Sequence, residues 1–262
     1  MSELSAFVDL AERMADAVRP IATRYFRSGL AIDTKADTSP VTAADRECES
    51  TMRNMIEAAH PDHGIYGEEH GKVRLDAEYV WVLDPIDGTK SFVTGRPTFG
   101  TLIALLRCGQ PVVGVIEMSA LGERWVGAEG RSTVFYNGPG EGKPARARAC
   151  ADLAGAWLYC TTPEMFVGAD ADAFKRLRLQ SRAAVYGADC YAYGLIAGGT
   201  VDLVCEASMQ PYDYCAIVPV VTGAGGVASD WQGRPLGLES DGRVLASGDP
   251  TLHAAALAAL AG

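Results

Sequence analysis

YVWVLDPIDGT, residues 79–89, decides the fold. The run from Tyr79 to Leu83 is bulky and has no polar break, the mark of a strand covered on both faces. It stops at Asp84, Asp87 follows after Pro85 and Ile86, and Gly88–Thr89 reads as the opening of a helix. Carboxylates at the end of a strand lie where open α/β sheets gather ligands. A helix mouth with Gly and Thr presents backbone N–H groups to an anion. Carboxylates beside an anion hole make chemical sense when a metal bridges them to a phosphate. Clustered acids would otherwise repel one another and raise their own pKa values. Hard oxygen ligands suit Mg²⁺ or Mn²⁺, and no His or Cys is placed to compete.

Working outward, GIYGEE (64–69) is a short strand-like segment ending in Glu68 and Glu69. Residues 4–26 place Leu4, Phe7, Val8, Ala11, Met14, Val18, Ile21, Ala22 and Tyr25 on one helical face, with a kink or break expected at Pro20. A polar, turn-rich stretch from Asp33 to Pro40 precedes a second helix that begins near Thr42. Its apolar stripe is Cys48, Met52, Met55, Ile56 and Ala59. Downstream, segments 101–106, 112–116 and 124–128 predict consecutive antiparallel strands. The Gly- and Pro-rich NGPGEGKP (137–144) is the best boundary in the chain. Helical and strand-like segments then alternate up to a closing helix over Pro250–Leu260. The pattern is mixed α/β with a soft division near residue 145. In the second half, Asp213 sits in PYDY at the start of an apolar helical run.

The 262 residues carry a formal net charge of −10, and no run of Lys or Arg forms a basic patch. Lys143, Arg146 and Arg148 read as a solvated loop edge, so nucleic-acid binding is not expected. No apolar stretch is long enough to span a membrane. Glu3, Asp9, Glu12 and Asp16 near the start are unlike a secretory leader. Seven cysteines form no CxxC pair, and most of them, among apolar neighbours, read as small core residues. Together these features predict a reduced, cytoplasmic protein without membrane or nucleic-acid partners.

DPIDGT (84–89), GEE (67–69), KADTSPVTAAD (35–45) and PYDYCAIVPVVTGAGG (211–226) together resemble the inositol monophosphatase superfamily. The resemblance spans nearly the whole chain, with the motifs in the family's order. It implies a layered α/β/α/β/α sandwich of the inositol monophosphatase/fructose bisphosphatase type. It also implies one phosphatase domain over 1–262: a metal- and phosphate-binding half (1–145) and a substrate-specificity half (146–262), divided softly across 137–150. Two or three Mg²⁺ ions, with Mn²⁺ as a substitute, would be held by Glu68, Asp84, Asp87, Asp213 and the backbone carbonyl of Ile86. Gly88 and Thr89 would hold phosphate through their N–H groups. Asp45 and the Thr89 hydroxyl would orient and activate the attacking water. Thr42-Ala-Ala-Asp45 also resembles a capping box, so from the residues alone Asp45 is either a cap or a catalytic group. Lys35 is a weaker site candidate. A homodimer acting on a small phosphate ester is the implied assembly.

The stretch 186–226 is most similar to histidinol-phosphate phosphatases of the plant and proteobacterial type. Tyr212–Asp213 stands where many relatives have Trp–Asp, and Asp189 where inositol phosphatases have a small neutral residue. Glu206 lies seven residues before Asp213, the family's substrate-binding spacing, and Asp87 and Asp213 border the same pocket. Two extra anions suit a substrate with an ammonium group better than a neutral polyol. Asp189 reads equally as a cap for a helix beginning at Cys190 or Tyr191, and Glu206 as an edge-strand surface acid. Tyr191 and Tyr193 would either line the pocket or sit in the core. Gly223 replaces a Glu usual in the family, a structural position more than a catalytic one. The four histidines fall in no motif. The implied activity is hydrolysis of L-histidinol phosphate in histidine biosynthesis. The alternatives are an inositol monophosphatase or broader phosphatase of the same superfamily, and a non-catalytic regulatory binding protein on the same fold.

Overall fold

Alternate residues of one sheet feed two different cores. From Tyr79 onward, Val80 and Val82 are buried in one apolar cluster, Trp81 and Leu83 in another. The next strand repeats the pattern, with Leu102, Ala104 and Leu106 on one side and Ile103 and Leu105 on the other. A side-chain period of two, apolar at every position, requires cover on both faces. The structure, a computed structural model, describes residues 2–28 and 43–262, with backbone alone at Asp33–Thr34 and Pro40–Val41.

The first half runs α1 (Glu3–Tyr25), β1 (Asp33–Thr34), β2 (Pro40–Val41), α2 (Ala43–Ala59), β3 (Gly64–Gly67), β4 (Gly71–Val73), β5 (Tyr79–Asp87) and α3 (Thr89–Val93). It continues through β6 (Gly100–Arg107), β7 (Gln110–Met118), β8 (Glu123–Ala128), β9 (Val134–Asn137) and β10 (Lys143–Pro144). Then come β11 (Trp157–Cys160), α4 (Ala169–Gln180), β12 (Ala183–Tyr186), α5 (Tyr191–Ala197) and β13 (Leu203–Glu206). The chain closes with α6 (Pro211–Tyr214), α7 (Ile217–Gly223), β14 (Val227–Ser229), β15 (Val244–Ser247) and α8 (Pro250–Ala261).

Among the described residues, eight strands form one sheet in the order β10-β9-β8-β7-β6-β5-β3-β4, antiparallel except for β3 beside β5. A five-stranded sheet has the order β12-β11-β13-β15-β14, with β11 parallel to both its neighbours. Helices α1 and α2 cover one face of the larger sheet, and α5 and α7 lie between the two sheets. Helix α8 packs on β15 at the outer face of the smaller sheet and α4 packs on α8. The layering is the expected α/β/α/β/α sandwich. The strands expected over 101–106, 112–116 and 124–128 are β6, β7 and β8, each a little longer than the apolar run that marked it.

Pro20 does not end α1. Val18 and Ala22 are fully buried on either side of it, so packing of the apolar stripe carries the helix past the missing N–H. Arg148 is not a free loop edge: its guanidinium makes two hydrogen bonds, each 2.7 Å, to the buried carboxylate of Asp202. Gly114 of β7 and Gly127 of β8 are register partners. A Cβ at the first would overlap the Ala216 carbonyl, and at the second the Pro219 carbonyl, so together they form a bare trough for α7. No helix among the described residues is long and apolar enough to cross a membrane.

His253 of α8 is buried between two hydroxyls, with Ser229 2.8 Å from Nε2 and Ser247 3.1 Å from Nδ1. Burial lowers its pKa from 6.5 to about 4. The unfolded chain takes up this proton below about pH 6.5. The folded chain does so only near pH 4, so stability is lost as pH falls through that window. In urea unfolding, His253→Gln is expected to remove about 2 kcal/mol of the acid-side loss. Identical pH slopes in the two proteins would show that the imidazole ionises freely in the fold.

Candidate active site

Residues three apart on a regular strand point to opposite faces, yet Asp84 and Asp87 serve one site. Asp84 pairs with Leu102 and Asp87 with Gly100, three steps along β5 against two along β6. The extra residue is a bulge, and it turns the second carboxylate to the side of the first. Pro85, which has no N–H to give the ladder, is fixed through its carbonyl by the buried Thr101 hydroxyl at 2.7 Å. Both aspartates were expected just beyond the strand; they lie within it because β6 continues to pair past Leu83.

Asp213 completes this group: one carboxylate oxygen from each of Asp84, Asp87 and Asp213 lies within 4.8 Å of the others. Asp213 is in the first turn of α6, where its Oδ2 accepts from the Gln210 N–H at 2.7 Å. Asp87 Oδ2 accepts from the Cys190 N–H at 2.6 Å. Asp84 is 2% exposed and its Oδ1 has no hydrogen-bond partner. Burial, then the charges of Glu68, Asp87 and Asp213, push the Asp84 carboxyl well above its ordinary range. Burial raises Asp213 to about 7, against the Gln210 N–H and with Glu68 adding to the rise.

Glu68 is placed in a second group, with Asp45 and Glu69, by the same 4.8 Å measure. Asp45 is buried in the first turn of α2, and Glu68 and Glu69 form the turn between β3 and β4. Glu68 is nonetheless the carboxylate neighbour that acts most strongly on Asp84, so the groups adjoin. Both sets consist of carboxylates alone, with Asp45 and Asp84 buried and the other four partly so, and Asp84 Oδ1 lacks any protein donor. That donor chemistry fits a hard divalent cation, which would offset the repulsion.

At the mouth of α3, Gly88 has φ +79°, and a Cβ there would meet Asp189 Cγ at 2.8 Å. The Thr89 hydroxyl donates to the Ile86 carbonyl at 3.2 Å, and the Ile86 side chain is fully buried. A cavity of about 450 Å³ opens over these residues. Glu68, Asp87, Gly88, Thr89, Asp189, Tyr193, Glu206, Tyr212 and Asp213 line it, with Lys90, Thr161, Met165 and Met209 among the others.

Asp189 is not a helix cap. Cys190 precedes α5 without any side-chain cap, and Asp189 stands at φ +49° with Oδ2 accepting from the Ser91 hydroxyl at 2.6 Å. Burial raises its pKa, against the Ser91 hydrogen bond and the nearby Arg96 and Lys90. Glu206 is not an edge-strand acid: β13 is the middle strand of its sheet and Glu206 is 2% exposed. It accepts from the Thr161 N–H at 2.8 Å, the Thr161 hydroxyl at 2.5 Å and the Tyr193 hydroxyl at 2.7 Å. Tyr193 lines the cavity, whereas Tyr191 packs edge-on to Trp125 away from it.

Thr161 and Ser91, which orient the two extra carboxylates, belong to no motif that could have marked them. Lys35 and most of KADTSPVTAAD lie outside the described residues, as does Thr42, the other half of the capping box considered for Asp45. Gly223 faces the Thr133 hydroxyl, 2.5 Å from where a Cβ would be, and has no room for a Glu side chain. His60 and His63 stack on each other at 4.4 Å, edge-on to Phe7 of α1, and neither belongs to the acidic groups.

The geometry agrees with comparison to known proteins. A family model described as the inositol monophosphatase family matches residues 3–261. The chain is 44% identical over 268 residues to the bifunctional phosphatase IMPL2, chloroplastic, of Arabidopsis thaliana, covering 99% of this chain and 76% of that protein. It is 34% identical to a histidinol-phosphatase of Chlorobaculum parvum, over 92% of each. Among solved structures, an inositol monophosphatase from Zymomonas mobilis superimposes with a TM-score of 0.90 at 44% identity, over the full length of both chains. The chain belongs to the inositol monophosphatase family.

Proposed function

We propose that this protein is a Mg²⁺-dependent phosphomonoesterase that hydrolyses L-histidinol phosphate to L-histidinol and phosphate. The observation that carries the reading is the pair Asp189 and Glu206, two carboxylates that line the cavity beyond the metal-type groups. A neutral polyol gives such a pair nothing to neutralise, whereas the ammonium of an amino alcohol would form charge-assisted hydrogen bonds with it. The relatives named histidinol-phosphatase, at 34–37% identity, support the same substrate.

In this reading Glu68, Asp84, Asp87, Asp213 and the Ile86 carbonyl hold the cations. When bound, these would lower the pKa of a water and screen charge on the attacking and leaving oxygens. Gly88 and Thr89 hold the phosphate through backbone N–H groups. Asp45 and the Thr89 hydroxyl orient the water, and the Asp45 carboxylate takes its proton. Asp189 and Glu206 fix the amino alcohol so that its ester oxygen faces away from the incoming water.

The test is phosphate release from L-histidinol phosphate and from myo-inositol 1-phosphate side by side, with Mg²⁺ and with EDTA. A metal-dependent preference for histidinol phosphate is expected. A preference for the inositol ester would favour the second reading, which the Zymomonas mobilis structure supports. Asp189→Asn keeps a residue type that tolerates positive φ. It is expected to lower kcat/KM for histidinol phosphate about 30-fold, the worth of one charge-assisted hydrogen bond, with little change for an uncharged ester. Equal losses on both esters would remove Asp189 from substrate recognition.

A further inference from the structure

The turn that carries Glu68 and Glu69 is held by a carboxylate outside the cavity. Glu49, one helical turn after Asp45 on α2, is fully buried. Its Oε2 accepts from the Glu69 N–H at 2.6 Å, and its Oε1 from the His70 N–H at 3.1 Å and from Arg53 Nε at 2.7 Å. Arg53 also donates to the Gly71 carbonyl at the far end of the same turn. Gly67, at the near end, lies so close to the Glu49 carboxylate that a Cβ there would overlap it. A turn flanked by glycines has little stiffness of its own. Asp45 and Glu49 are four residues apart, so one face of one helix presents the first acid and anchors the turn bearing the other two.

We propose that Glu49 is a positioning residue for cation binding: through two backbone N–H groups it sets the spacing between Asp45 and the carboxylates of Glu68 and Glu69. The inference rests on the reading of that group as part of a divalent-cation site. Three like charges drift apart when nothing holds them, and gathering them on binding weakens affinity. Glu49 gathers them beforehand, as partners behind metal ligands do.

The test is calorimetric titration of Mn²⁺ into EDTA-stripped protein, with thermal unfolding in EDTA alongside. Glu49→Gln keeps the side chain's size but turns an amide NH₂ toward a backbone donor. Mn²⁺ affinity is expected to fall about 10- to 100-fold. The Mg²⁺ concentration giving half-maximal phosphate release should rise in step, while kcat at saturating Mg²⁺ stays within about threefold. Met52→Ala, buried on the same helix in the α1–α2 core, is the comparison. It should lower the melting temperature and leave Mn²⁺ affinity unchanged. If Glu49→Gln does not fold, Arg53→Gln removes one donor to Glu49 and the tie to Gly71, and should weaken Mn²⁺ binding about fivefold. Unchanged affinity in the folded variant overturns the positioning role, as does an equal loss in Met52→Ala. A wild-type protein that binds no Mn²⁺ overturns instead the cation-site reading beneath it.

Discussion

Asp87→Asn is expected to lower kcat/KM for phosphate release about a thousandfold or more at saturating Mg²⁺. The substitution keeps the shape and the hydrogen bond from the Cys190 N–H, so the bulge should survive. What changes is charge: three carboxylates, Asp84 buried and Asp87 and Asp213 partly so, whose oxygens approach within 4.8 Å become two, and one proposed cation ligand becomes an amide. The same change should act on stability with the opposite sign. With EDTA present, the wild-type group is an uncompensated cluster of acids, burial and mutual repulsion raising Asp84 and Asp87 alike. Removing one charge relieves that repulsion, so Asp87→Asn should melt a few degrees higher than wild type in EDTA, about 2–4 °C per kcal/mol relieved. An acid that only braced the fold would lose activity and stability together. Near-normal turnover at modest Mg²⁺ would falsify the ligand assignment.

Gly114→Val should be the most damaging single change away from the site. A Cβ at this position overlaps the Ala216 carbonyl, which is backbone and cannot swing aside as a side chain would. Helix α7 must then ride up off the sheet, opening the core shared by Ile116, Trp125, Ile217 and Val220. Overpacking against backbone costs about 3 kcal/mol or more. Asp213 lies just upstream of α7, so any folded fraction should also need more Mg²⁺ for half-maximal activity. Gly130→Asn, in a turn with φ +68° and open space around it, is the contrast, with a cost below about 1 kcal/mol. A wild-type urea midpoint in Gly114→Val would mean that the helix slides along the trough without penalty.

The parts of the molecule legible in the sequence were those whose signal is local. YVWVL announced a strand buried on both faces because every position is apolar, and the α1 stripe announced its helix by a 3.6 period. Asp84 and Asp87 were visible as acids near a strand end. Their common direction was not, because the bulge depends on how β6 pairs with β5. Glu206 ends a four-residue strand whose sequence is the same at an edge or a centre; its position between β11 and β15 is set by residues far along the chain. Asp189 followed by Cys190 and Tyr191 has the look of a cap, and only the buried Ser91 hydroxyl of α3 reveals where its carboxylate turns. Glu49 belongs to no motif, and its importance comes from what a turn about twenty residues later brings to it.

The bulge in β5 also bears on how this chain can change over generations. Pro85 meets its surroundings through a carbonyl and Ile86 through a carbonyl and an apolar side chain, so other residues of similar bulk can take their places. Their number is a different matter. With one residue fewer the ladder to β6 closes into plain alternation, and with one more the parity shifts again. Drift in this segment should therefore proceed by substitution, while insertions and deletions collect in open turns such as the one at Gly138–Gly140, where no carboxylate depends on the count.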